Sequence, residues 1–231
     1  MIELKALNYE EAFKYMGYGD ASADSQIISI MKECEKEILK NCKPSFCYRV
    51  YDLVRENESI RLPGCTLKLV GESIKKHLEG CDRVVVMAAT AGAGIDGLIT
   101  RAQLRSVAYG MVMDTMASVC IEQICDEAMA EIREALPDYG QTWRFSPGYG
   151  DLPLELQKDL LEAVEARKRI GLGITNSDML TPVKSVTAFI GLFDKRKITE
   201  ENSRKVRCTD KEACMKCTRR KVCNISPYKE I

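Results

Sequence analysis

From Asp96 to Leu136 the chain contains no proline, and apolar residues recur at helical spacing: Leu98, Leu104, Val107, Met111, Met113, Ala117, Cys120, Ile121, Ile124, Ala128 and Ile132. Residues three and four apart share one helix face, so this pattern predicts one long helix or two consecutive ones, bending near Gly110 and ended by Pro137. Met111, Met113 and Met116 are expected to be packing side chains. Directly upstream, Arg83–Thr90 is a continuous apolar run led by Val84, Val85 and Val86, the pattern of a strand buried on both faces.

Other segments supply further elements. A helix is expected over Tyr9–Tyr15, then a turn at Gly17-Tyr18-Gly19-Asp20, then a helix capped by Ser22 or Asp24 with Ile27, Ile28, Met31, Ile38 and Leu39 as its stripe. Phe46–Val54 alternates as a strand, and Arg61–Val70, broken by Pro63-Gly64, could pair with it or form an edge. A short helix over Glu72–Glu79 should end at Gly80. Thr142–Phe145 is expected as a strand and Ser146–Gly150 as a loop. Asp151 should cap a helix entered near Pro153, with Leu156, Leu160, Leu161 and Val164 inward. Lys184–Phe193 is the last expected strand. Strands interspersed with long helices, without strict alternation, indicate an α/β or α+β fold. The expected organisation is one domain over residues 1–200 and a basic, cysteine-rich tail over 201–231.

The 34 basic and 34 acidic side chains cancel to a formal charge of zero, which argues against nucleic-acid or polybasic membrane partners, since those need a field of one sign. No run approaches the roughly 20 apolar residues of a membrane span, and Met1–Lys5 does not open a secretory signal. The expected location is the cytoplasm. Eleven cysteines, an odd number, read as free thiols in a reducing compartment, with Cys120 and Cys125 as core. Cys34, Cys42, Cys47, Cys65 and Cys81 lack metal-ligand spacing. The tail differs: Cys208-x5-Cys214-x2-Cys217-x5-Cys223 sets four thiols among lysines and arginines within sixteen residues. Neighbouring cations favour thiolates, so an all-cysteine zinc or iron–sulfur site fits, as does a reduced exposed tail.

Two further signals carry alternatives. Gly92, Gly94 and Gly97 fit Gly-x-Gly-x-x-Gly after a strand; this could cradle a dinucleotide phosphate or simply form a tight strand-to-helix turn. Asp114, about twenty positions on, lies in a helical stretch where the dinucleotide pattern wants a strand end. His77, the only histidine, lies in a short amphipathic helix.

The most informative segment is Arg144-Phe145-Ser146-Pro147-Gly148-Tyr149-Gly150-Asp151-Leu152-Pro153. It joins a guanidinium fork suited to a carboxylate, an irregular backbone and an aromatic face, which are parts for holding an amino-acid-like ligand with a flat ring. A plain strand-turn-helix corner would use the same residues. The segment resembles the Arg-x-x-x-Gly-Tyr-Pro motif of the activation domain of cobalamin-dependent methionine synthase. Arg144, Gly148 and Tyr149 match, and Gly150 stands for the motif's proline. A downstream family segment of the Leu-Thr-Glu-Ser…Pro…Ser-Val-Ser-Gly type is echoed by Ile174–Pro182 and Ser185–Ala188, and His77–Cys81 with Met87–Thr90 is similar to stand-alone activation proteins of anaerobic bacteria.

The resemblance implies a twisted, largely antiparallel sheet packed with long helices, hence a mixed α+β fold, and S-adenosylmethionine as ligand. Arg144 would hold its carboxylate, the Phe145-Ser146-Pro147-Gly148 backbone its adenine and ribose, and Tyr149 would pack near a corrin edge. It further implies reductive methylation of cob(II)alamin carried by a partner, a cobalamin-binding methionine synthase or another corrinoid protein, with a flavodoxin or ferredoxin as electron donor. A non-catalytic or metal/redox accessory docking through the same fold is the alternative. Two positions depart from the family: Ser118, with Glu122 one turn later, stands where the full-length enzymes carry an acidic residue for the ligand's ammonium. Phe189 and Ile190 follow the serine-valine echo, so one ring of the family pattern is missing.

Overall fold

Local chemistry places the first helices. In the computed structural model, which describes residues 2–18 and 24–197, Asn8 accepts from the Glu11 N–H and opens α1 (Tyr9–Tyr15). Asp24 accepts from the Gln26 N–H and opens α2 (Ser25–Asn41), which buries Met31, Cys34 and Ile38 at three- and four-residue spacing. There follow β1 (Ser45–Asp52), β2 (Val54–Arg55), β3 (Ser59–Arg61), β4 (Lys68–Val70), α3 (Glu72–His77) and β5 (Arg83–Thr90). The two helices α4 (Ala93–Arg105) and α5 (Val107–Ala135) precede β6 (Tyr139–Gln141), α6 (Leu156–Ala163) and α7 (Ala166–Ile170). The chain then forms β7 (Gly173–Ile174), β8 (Leu180–Thr181), β9 (Ser185–Asp194) and a 3-10 turn at Lys195–Lys197.

The main sheet has the order β1-β5-β9-β6, and β2-β3-β4 and β7-β8 form two smaller sheets. The Lys43 N–H bonds the Ala91 carbonyl, while the Leu53 N–H bonds that of Asp82. The Ala91 N–H bonds the Lys184 carbonyl, and the Asp82 N–H that of Leu192. Numbers rise along one strand as they fall along its neighbour, so β1, β5 and β9 are antiparallel, as is the β6–β9 pair. The mixed α+β fold with antiparallel sheets expected from the sequence is what forms. Every residue of β5 after Arg83 is buried. Among the described residues no helix is long and apolar enough to cross a membrane.

Two compact units divide the chain. The first comprises residues 1–47, 88–132 and 164–187. Here the long helical stretch breaks at Ser106, whose backbone is extended (φ −168°, ψ 160°), and not at Gly110. The Ser106 hydroxyl oxygen accepts the Tyr109 N–H and so caps α5. Gly110 serves close packing instead. A Cβ there would come within 2.9 Å of Gln103 Cα, so glycine lets the start of α5 press against α4. The glycine-rich turn is likewise structural. Gly92 has a φ of 89°, and a Cβ on Gly94 would stand 2.8 Å from the Asn41 carbonyl. With β5 flanked by antiparallel neighbours, the parallel βαβ setting of a dinucleotide site is absent.

The second unit comprises, among the described residues, 48–87, 133–163 and 188–197. Pairing shifts from the expected strand at Thr142–Phe145 to β6. Gln141 faces Leu192, while the next paired residue, Phe145, faces Phe189. Four steps on one strand thus oppose three on the other, a bulge. Within it, Thr142 Oγ1 accepts the Gly191 N–H at 2.8 Å in place of a backbone carbonyl. Gly140 packs against the tip of the Phe193 ring, where any Cβ would overlap it.

Asp151 does not cap the helix that follows it. Its carboxylate accepts the N–H groups of Glu72 (2.7 Å) and Ser73 (2.9 Å), capping α3 from 79 residues away. The helix's own preceding residue, Gly71 (φ 127°), has no side chain to do so. The Ser73 and Glu72 amides hold the Asp151 carboxyl below its ordinary pKa. A lowered folded pKa stabilises the fold above the unfolded value and loses that effect as pH falls through the folded one. Asp151→Asn should therefore lower the thermal midpoint at pH 7 and flatten its decline below pH 4, checked by thermal melts of both proteins across that range.

Candidate functional site

The Arg144–Pro153 segment leaves the main sheet through the bulge at residues 141–145. Its anchor is Phe145, which is 5% exposed and paired to Phe189 by two backbone bonds of 3.0 and 2.8 Å. Arg144 and Ser146 are half-buried and Pro147 is buried, whereas Gly148 and Tyr149 are exposed. The turn closes on itself: the Tyr149 N–H bonds the Ser146 carbonyl (3.1 Å), and the Gly148 N–H bonds that of Leu152 (2.9 Å). Gly148 takes a φ of 88°, a conformation that L side chains rarely adopt, so its backbone stays bare. Tyr149 is 53% exposed, with its ring 5.9 Å from that of Phe145 at 74°.

Behind this loop lies an aromatic cluster that residue order does not reveal. The His77 ring sits 4.9 Å from both Trp143 and Phe145, and its Nε2 is 2.9 Å from Thr142 Oγ1. Its Nδ1 is buried without a hydrogen-bond partner. Burial among these rings pushes the His77 pKa down to about 4, which keeps the imidazole neutral. In the unfolded chain it titrates near 6.5, so below that pH the unfolded state binds a proton the native state refuses. Stability should fall by about 3 kcal/mol as pH drops from 6.5 toward 4. Denaturant melts of His77→Leu beside the parent chain test this; equal pH slopes for the two would refute it.

The first unit contains a cavity of about 490 Å³ lined by Tyr15, Asp114, Ser118, Glu122, Lys184 and Ser185 among others. Successive turns of α5 put Asp114, Ser118 and Glu122 on one face, since residues four apart align. Lys184, whose side chain is 13% exposed, reaches Asp114 at 2.9 Å and the Ser118 hydroxyl at 2.8 Å. Ser185 donates toward Thr90 Oγ1 (2.8 Å) and the Pro182 carbonyl (2.7 Å). Carboxylates and one anchored ammonium together suit a polar, charged ligand group. Asp114, Ser118 and Glu122 stand out in the sequence, but Lys184 does not. The available signal is that Lys184 is the sole charge between Met179 and Phe193.

Cys208, Cys214, Cys217 and Cys223 lie outside the described residues. Among the described residues no cluster of three or more histidine, cysteine or acidic side chains could hold a metal ion.

No family profile matches the chain, and no curated protein does. Among solved structures, the fold is similar to that of the MetH reactivation domain bound to AdoHcy, with a TM-score of 0.58 at 16% sequence identity. The match covers 90% of this chain and 80% of that one.

Proposed function

We propose that this chain is a stand-alone reactivation subunit that binds S-adenosylmethionine and serves a corrinoid methionine synthase carried on a separate protein. The observation that carries this reading is the Arg144–Tyr149 loop on a fold similar to a reactivation domain bound to AdoHcy. The loop fits the ligand: an arginine, half-buried as a residue, for the carboxylate, a bare backbone at Gly148 for close approach, and an exposed tyrosine. In this role Arg144 binds and orients the amino-acid end, and the Phe145–Gly148 backbone takes the adenine and ribose. Tyr149 excludes water from a planar macrocycle. The corrinoid, held by the partner, would supply the cobalt that accepts the electron and the methyl group, while this chain would contribute position and desolvation. Residues 1–200 act as one module, residues 201–231 as an appended tail, and a flavodoxin or ferredoxin supplies the electron.

Anaerobic calorimetric titration with S-adenosylmethionine tests the reading. Saturable one-to-one binding is expected; no heat with the chain alone and none with a corrinoid protein added would overturn it. One observation favours a second reading. Lys184 presents a cation to Ser118, at the position where the resembled family keeps an acidic residue for the ligand's ammonium. A docking or redox accessory that binds no sulfonium would tolerate that cation. Zinc or iron–sulfur loading of Cys208, Cys214, Cys217 and Cys223, measured by metal analysis and visible spectrum after anaerobic purification, would support the redox form of this second reading.

A further inference from the structure

We infer that Cys42 and Cys120 form a redox-active dithiol in the first unit, a modification site at which a low-molecular-weight disulfide oxidises the pair to an intrachain disulfide. Their sulfurs lie 3.5 Å apart across 78 residues of sequence, in hydrogen-bond contact. A disulfide needs about 2.05 Å, so side-chain rotation has to close the sulfurs by about 1.5 Å. Both cysteines sit on well-anchored backbone. The Cys42 N–H closes α2 on the Ile38 carbonyl at 2.7 Å, and the next residue, Lys43, bonds the Ala91 carbonyl at 2.9 Å. Cys120 lies in the middle of α5 and is fully buried.

Exposure assigns the roles. Cys42 is half-buried and within reach of a reagent, whereas Cys120 is sealed in the core. The hydrogen bond between the two sulfurs, either of which can donate, lowers the Cys42 pKa and favours its thiolate; the same bond, with burial, raises that of Cys120. Burial pushes Cys34 up to about 11 and Cys81 up to about 12, so neither competes with Cys42 as the first attacking thiol. In the reaction the Cys42 thiolate attacks one sulfur of the small disulfide and releases one small thiolate. Cys120 then gives up its proton and attacks the Cys42 sulfur, releasing the second. The two cysteines lose two electrons and the small disulfide gains them. The new bond would tie the end of α2 to the helix whose Asp114, Ser118 and Glu122 line the cavity.

The test uses the full reduced chain, incubated anaerobically with graded oxidised and reduced glutathione, acid-quenched, alkylated, digested and mapped by mass spectrometry. The expected result is a Cys42–Cys120 linked peptide lacking two hydrogens. It should come with a thermal midpoint raised by roughly 5–10 °C, reversed by a thiol reductant. Cys120→Ala should trap a glutathione mixed disulfide on Cys42, and Cys42→Ser should leave Cys120 unmodified in the native protein. Recovery of both cysteines as free thiols under conditions that oxidise the tail cysteines would overturn the inference. So would Cys42 joined only to some other cysteine.

Discussion

Replacing Arg144 with alanine is expected to weaken S-adenosylmethionine binding sharply while leaving the fold intact. A guanidinium fork and a carboxylate form two parallel charge-assisted bonds, together about 3 kcal/mol, so affinity should fall roughly 150-fold. A lysine at the same place supplies a point charge without the fork. Arg144→Lys should therefore recover only part of the lost affinity. Paired calorimetric titrations decide the matter, with thermal melts as control. A variant that binds as the parent does would place the carboxylate elsewhere, the Lys184 ammonium being the next group to replace.

Phe189→Ala should cause the largest loss of stability among single replacements near the loop. Phe189 is 0% exposed, and its backbone is the partner that fixes Phe145 at the base of the loop. Deleting a buried phenylalanine ring costs about 3–5 kcal/mol in transfer energy and residual cavity. For a chain of this size that corresponds to a thermal midpoint lowered by roughly 10 °C. Tyr149→Ala removes a ring that is 53% exposed and should change stability by no more than about 0.5 kcal/mol. Denaturant midpoints of the two variants, measured together, separate the anchoring ring from the displayed one. Equal losses would mean that the loop is packed differently.

The same contrast explains what can be read from residue order. The first helix, the buried strand Arg83–Thr90 and the strand starting at Ser185 are all legible, the helix from the cap beside it and the strands from their local apolar runs. Two of the misplacements share one cause: the bulge after Gln141 and the cap that Asp151 supplies to α3 each depend on a partner far along the chain. The break at Ser106 is local, its hydroxyl capping α5 through the Tyr109 N–H three residues on. Gly110 reads as a bend because glycine is locally flexible, yet its place is set by the backbone of Gln103 packed against it.

For the candidate site, the sequence alone determined which residue types are available at Arg144, Gly148 and Tyr149 and how closely they are spaced. Spacing within one loop is a covalent property, so no folding is needed to know it. Tertiary structure alone decided that Lys184 meets Asp114 and Ser118, that His77 is buried neutral between Trp143 and Phe145, and that Cys42 faces Cys120. Each of these pairings joins residues separated by 65 positions or more. Charge neutralisation, desolvation and thiol contact depend on distance in space, and over such separations only the packed chain sets that distance.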